Sequence, residues 1–261
     1  MGNHDAPVLL FVHTGMWSFI WRDVITRLAG DFRCIALDAP GTGQSAVPAR
    51  AISLEYSSRA VTGLIEGLEL ENLTLVVHDL GGPAGFAGAA RTPERVRGIV
   101  AINAFGWKPS GALFRGMLAL MGSAPMREFD VLTGFLPRLT STNFGVGRHF
   151  DRASRDAFRA PLGRQGLRAF HRYLRDARTC DALYTEIASA LAGPFAKLPL
   201  LTIFGEHNDP LGFQPRWKKL FPDAQQVVVA TGNHFPMCDD PDLVADAIRA
   251  WHRQGRAPAS R

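Results

Sequence analysis

Short unbroken apolar runs alternate with stretches of helical periodicity along most of the chain. Val8-Leu9-Leu10-Phe11-Val12, Cys34-Ile35-Ala36-Leu37, Leu73-Thr74-Leu75-Val76-Val77, Val96 to Ile102, Leu200-Leu201-Thr202-Ile203-Phe204 and Gln226 to Val229 read as strands. Continuous rather than alternating hydrophobicity is what a parallel strand covered on both faces requires. Helices fit about Ser18 to Leu28, Leu54 to Leu68, Pro83 to Ala90 and Pro241 to Trp251. Between Gly106 and Pro194 the strand-like runs stop, and helical segments separated by Gly and Pro take over. The pattern predicts an α/β fold: a mostly parallel sheet with helices on both faces and a helical cap inserted between two strands. The core is expected over residues 1–106 and 195–261, and the cap over 107–194.

Composition narrows the partners. The 261 residues carry a net charge of +5, mostly from scattered arginines. With no dense Lys/Arg run and no nucleic-acid motif, this reads as a solvated basic surface; neither nucleic acid nor membrane is an expected partner. Cys34, Cys180 and Cys238 lie far apart without metal-ligand spacing, as reduced thiols of a cytoplasmic protein would. Met1-Gly2-Asn3-His4-Asp5 lacks the pattern of a signal peptide, and no apolar run is long enough to span a bilayer. The tail Arg253 to Arg261 is expected to fray.

The chemistry concentrates at Val77-His78-Asp79-Leu80-Gly81-Gly82, between a buried strand and a helix. A nucleophile on such a turn projects above the carboxyl ends of the strands. Gly81, Gly82, Ala84 and Gly85 give the room that lets the helix start close to the strand. The nucleophile position holds Asp79. A carboxylate attacks a saturated carbon bearing a leaving group and forms an ester with the enzyme. Hydrolysis of that ester needs a base, and His234, in the loop between the last strand and the last helix, stands where chain order puts one. A third residue should orient the imidazole. Asp209, in Asp209-Pro210 beyond the Phe204-Gly205 strand end, is assigned that role, with Glu206 as the alternative. Backbone donors for an oxyanion are expected at Leu80 and at Thr14 or Gly15. A few residues of the apolar cap stretches, Leu113 to Met121 and Phe129 to Leu136, should line a cavity above Asp79. Trp17, Phe129, Tyr173 and Tyr184 are the candidate pocket residues.

These residues resemble the haloalkane dehalogenase and epoxide hydrolase branch of the α/β-hydrolase superfamily. The matching pieces are Trp17-Ser18-Phe19-Ile20-Trp21-Arg22, Asp38 to Ser45, Val77 to Gly82, Pro93-Glu94-Arg95-Val96 and Gly232 to Pro241. The resemblance implies an α/β-hydrolase fold and a small apolar substrate cleaved with water. Since the triad and water suffice, no metal or organic cofactor is implied. Val76-Val77-His78-Asp79 looks more like the dehalogenases, because epoxide hydrolases commonly carry Gly where Val77 stands. Epoxide hydrolases also use two cap tyrosines as acids, and only Tyr173 and Tyr184 are available. The chain departs from the dehalogenases too. Leu80 replaces the Trp that donates to the halide, the cap after Trp107 contains no Trp, and His13-Thr14-Gly15-Met16 lacks the second halide donor. The family also carries two strands earlier than Val8–Val12. The expected activity is dehalogenase-like, with epoxide hydrolysis as the alternative. From a different class, a non-catalytic ligand-binding protein on a hydrolase scaffold is the competing expectation.

Overall fold

The computed structural model describes residues 1–46 and 52–254. The expected fraying of the tail concerns, for residues 255–261, positions outside this set. Strands β1 (Val8–His13), β2 (Arg33–Asp38), β3 (Leu73–Asp79), β4 (Val96–Ala104), β5 (Leu200–Gly205) and β6 (Gln225–Val229) form one sheet. Its order is β2-β1-β3-β4-β5-β6, with every neighbouring pair parallel. Helices α1 (Arg22–Leu28), α2 (Leu54–Gly67) and α3 (Gly81–Ala89) belong to the first half. Six more lie between β4 and β5: α4 (Ala112–Met121), α5 (Ala124–Thr133), α6 (Phe135–Thr140), α7 (Arg152–Arg159), α8 (Arg164–Asp176) and α9 (Asp181–Ala192). The chain ends through α10 (Phe213–Leu220), α11 (Pro236–Asp239) and α12 (Pro241–Gln254).

The apolar runs become central strands because both of their faces are covered. Successive side chains of a strand point to opposite faces. Leu10 and Val12 therefore enter one core with Leu75, Val77, Val61 and Phe86, beneath α2 and α3. Leu9 and Phe11 enter the other with Val76, Val24 and Ile248, beneath α1 and α12. Every residue of β1 and β5 is buried. β2 is an edge strand, bridged at one point where Met1 and Cys34 exchange backbone hydrogen bonds, each 2.8 Å. The helical insertion, α4 to α9, lies between β4 and β5. It sits beyond the carboxyl ends of the strands, the edge at which His13, Asp79 and Gly205 all emerge.

Candidate active site

Asp79 is the last residue of β3 and stands at φ 49°, a left-handed conformation that a non-glycine residue adopts only under tertiary constraint. The constraint is the abrupt start of α3. A Cβ on Gly81 would run into the Val12 carbonyl, and one on Gly82 into the Phe105 carbonyl. Only glycine lets the helix begin this close to the sheet. The side chain of Asp79 is thereby lifted into a cavity of about 320 Å³. Its roof is Phe114, Met117, Leu118 and Met121 of α4; its polar floor is Asp79, Asn103, Asn208 and His234. A larger cavity of about 480 Å³, lined by Pro7, Thr74, Arg97 and Trp251, lies at the opposite, amino-terminal ends of the strands, remote from this carboxylate.

His234 Nε2 stands 3.8 Å from Asp79 Oδ2. Two side chains fix the backbone of its loop. The His234 carbonyl accepts from His78 Nε2 at 2.7 Å and from Asn103 Nδ2 at 3.0 Å. Asn103 Nδ2 also donates to the Asn233 carbonyl, while its Oδ1 accepts from Gly205 N–H. One amide thus ties β4, the end of β5 and the histidine loop together.

Behind Asp79 runs a directed chain of hydrogen bonds. Met16 N–H donates to His13 Nε2 at 3.2 Å, so the proton of His13 sits on Nδ1. That proton goes to His78 Nδ1, 3.1 Å away, which leaves the His78 proton on Nε2, facing the His234 carbonyl. Both rings are neutral in this pattern, and their environment keeps them so. Burial brings His13 down from 6.5 to about 4. Burial, with the neighbouring His234 and His13 rings, holds His78 well below the ordinary histidine range. For Asp79, burial pushes the carboxyl up, but the adjoining His234 outweighs burial and keeps it below the usual carboxylate range. The group at the elbow is a carboxylate throughout the neutral range.

The third position departs from expectation. Asp209 is spent on α10: its Oδ1 accepts from Phe213 N–H at 2.6 Å and its Oδ2 from Gln214 N–H at 2.8 Å. Glu206 is exposed and accepts from Thr231 N–H. The side chain at the imidazole is Asn208, whose amide lies 3.1 Å from His234 Nδ1. With the amide nitrogen toward Nδ1, the neutral ring carries its proton on Nε2. Turned by half a rotation, Oδ1 accepts the Nδ1 proton and frees the Nε2 lone pair facing Asp79.

The remaining assignments divide. Leu80 lines the cavity, whereas Thr14 and Gly15 lie outside its lining, Thr14 buried near Ser57 and Gly15 against Phe170. None of the four candidate pocket residues lines it. Trp17 donates its indole N–H to the Phe158 carbonyl and stacks on Phe19. Phe129 is 48% exposed and packs on Phe135 at the cap surface. The hydroxyls of Tyr173 and Tyr184 are buried donors to the Pro40 and Ala177 carbonyls. The residues of the candidate site that sequence reasoning missed are Asn208, Asn103 and the His13–His78 pair. The last had a visible signal, since each histidine closes a buried apolar run and the two stand side by side in register. Among the described residues, no group of three His, Cys, Asp or Glu side chains is arranged to hold a metal ion.

Comparison with known proteins agrees with the fold. The model of a family described as alpha/beta hydrolase fold matches residues 7–241. Haloalkane dehalogenase 2 of Mycobacterium tuberculosis is 28% identical over 254 residues, covering 93% of this chain and 86% of that protein. The cis-3-alkyl-4-alkyloxetan-2-one decarboxylase of Shewanella oneidensis is 29% identical over 266 residues, covering 95% and 82%. Among solved structures, haloalkane dehalogenase DbeA from Bradyrhizobium elkani superposes with a TM-score of 0.84 at 22% identity, covering 98% of this chain and 93% of that one. At that identity the likeness speaks to the fold.

Proposed function

The chain belongs to the α/β-hydrolase fold family, and from that premise we propose that it is a dehalogenase-like hydrolase acting through an aspartyl ester. One Asp79 oxygen attacks a saturated carbon in the apolar cavity. A C–O bond forms, the carbon–halogen bond breaks, and halide leaves. With Asn208 Oδ1 holding the Nδ1 proton, His234 Nε2 takes a proton from water, and the resulting hydroxide attacks the ester carbonyl. Leu80 N–H, at the start of α3, faces the oxyanion. Collapse returns Asp79 as a carboxylate and releases the alcohol. The observation that carries this reading is a carboxylate, held ionised, 3.8 Å from an imidazole and open to a cavity roofed by Phe114, Met117, Leu118 and Met121. The test uses His234→Gln incubated with 1-bromobutane. Mass spectrometry should find a butyl adduct on Asp79; a variant that stays unmodified while the wild type also releases no bromide sinks the reading, in favour of ligand binding without turnover.

One observation favours a second reading. Of the two amides in the cavity floor, Asn103 has its Nδ2 committed to two carbonyls, so Asn208 is the single side-chain amide left to meet a departing halide. A strained lactone needs no such cradle. If Asp79 attacks the ring carbon bearing the ring oxygen of an oxetan-2-one, the C–O bond that breaks leaves a carboxylate tethered to the substrate. Loss of carbon dioxide then supplies the electron pair for a C=C bond as the Asp79 ester bond breaks, giving an alkene without water. The relative from Shewanella oneidensis bears a name of this chemistry. Parallel assays of bromide from 1-bromobutane and of alkene from a cis-3,4-dialkyl oxetan-2-one separate the two. The buried hydrogen bonds of Tyr173 and Tyr184 leave epoxide opening without its acids.

A further inference from the structure

Helix α4 is out of keeping with a solvated surface. Its sequence, ALFRGMLALM, contains one charged residue. Yet it buries only Phe114 and Leu118. Leu113 is 68% exposed and Leu120 65%, and with Gly116 and Met117 they form one stripe at helical spacing. A helix apolar nearly all round belongs against an apolar partner. At its carboxyl end, Gly122 borders a cleft of about 60 Å³ lined by Arg127, Arg168, Arg172 and Arg175, with His171 at its back. Glu128 pairs with Arg168 and Arg127. Arg172 and Arg175 form no salt bridge among the described residues. The charge distribution is lopsided in the same sense. Residues 107–194 hold 13 Lys and Arg against 7 Asp and Glu, whereas the rest of the chain holds 16 against 17. The whole positive excess of the protein therefore lies on the cap.

We propose that the outer face of α4 and the arginine cleft beside it dock on an anionic lipid surface. Exposed leucines enter the headgroup boundary while arginines meet lipid phosphates, the pairing by which peripheral helices bind charged bilayers. No helix among the described residues is long and apolar enough to cross a membrane, so the contact lies on the bilayer. It departs from the expectation of a merely solvated basic surface. The same helix supplies Phe114, Met117, Leu118 and Met121 to the roof of the cavity. Apolar substrate dissolved in the lipid is thereby delivered one helix away from Asp79. The docking itself rests on the cap alone and not on the chemistry at Asp79, because vesicle binding requires no turnover.

Flotation of the full chain with vesicles of phosphatidylcholine, alone or with a third of phosphatidylglycerol, tests this. The protein should float with the anionic vesicles, less so at high salt, and not with the neutral ones. Leu113→Asp/Leu120→Asp and Arg172→Glu/Arg175→Glu should each weaken binding on the order of tenfold or more. Arg172→Lys/Arg175→Lys should retain it, and melting curves should match the wild type, since none of these side chains is part of the core. Wild-type protein that ignores anionic vesicles, or variants that bind as well as wild type, would overturn the proposal. So would a wild-type dimer in sedimentation that Leu113→Asp/Leu120→Asp dissolves without any vesicle binding, which would assign the face to a second copy of the chain.

Discussion

The floor and the roof of the active cavity are built on opposite rules. The floor is over-determined. Asp79 and Asn103 both carry positive φ, Gly81 and Gly82 touch backbone that no larger residue could approach, and three histidines and one asparagine are joined by hydrogen bonds of fixed direction. The roof is α4, held by two buried side chains and meeting the cavity through Phe, Met and Leu. Methionine is flexible and polarisable, and repacks around different shapes. The difference teaches where each property would reside under the proposed function: the reaction in constrained backbone, and selectivity in adaptable side chains.

The severest way to break the floor is to remove its proposed nucleophile. Asp79→Asn should abolish product release, a loss on the order of 10⁴-fold or more, with no adduct by mass spectrometry. His234→Gln should cut turnover on the order of 10³-fold while the alkyl-enzyme accumulates. If both variants lose the adduct, the division of labour between attack and hydrolysis is wrong.

Acid attacks the floor through its hidden histidines. His13 is held near 4 while the unfolded ring titrates near 6.5, so between these values the unfolded chain binds the extra proton. Its contribution is whole above about 6.5 and is lost as pH falls toward 4, on the order of 3 kcal/mol for so buried a ring. Asp79, depressed in the fold, adds to the loss only below its unfolded value near 3.8. Thermal melts from pH 8 to pH 4 should show the decline, and His13→Asn should flatten it.

Asn208 and Asp209 sharpen the comparison by separating chemistry from support. Asn208→Ala should lower kcat roughly 10- to 100-fold with little change in Tm. Asp209→Ala should lower Tm by a few degrees, as loss of about 1 kcal/mol of helix capping does, and leave kcat within a few-fold. The reverse pattern would restore Asp209 to the imidazole. The smallest effect belongs to the roof: Met117→Ala should alter KM for long against short alkyl substrates several-fold and leave kcat nearly unchanged.

What was legible in the chain follows the same division. The strand runs and the inserted helices were readable because each is announced by local sequence, and the roles proposed for Asp79 and His234 rest on signals of the same local kind: a pair of glycines after a buried strand, and a histidine after the last strand. Asp209 was misassigned because chain order cannot tell a carboxylate that turns toward an imidazole from one that turns toward the first N–H groups of α10. Tyr173, Tyr184 and Trp17 were expected in the pocket on residue type. Their polar atoms instead satisfy the Pro40, Ala177 and Phe158 carbonyls, partners 133, 7 and 141 positions away that no local pattern reveals. Asn103 and the His13–His78 pair act across three strands, so their roles appear only once the sheet is assembled.

The bend that carries Asp79 has an evolutionary corollary. Since the left-handed backbone at this position and the glycines after it fix the aim, any side chain standing there inherits the same line of fire. The position works as a socket: exchange of a single codon for serine or cysteine would swap the proposed alkyl transfer for acyl transfer while the scaffold, the imidazole and the chamber above stay as they are.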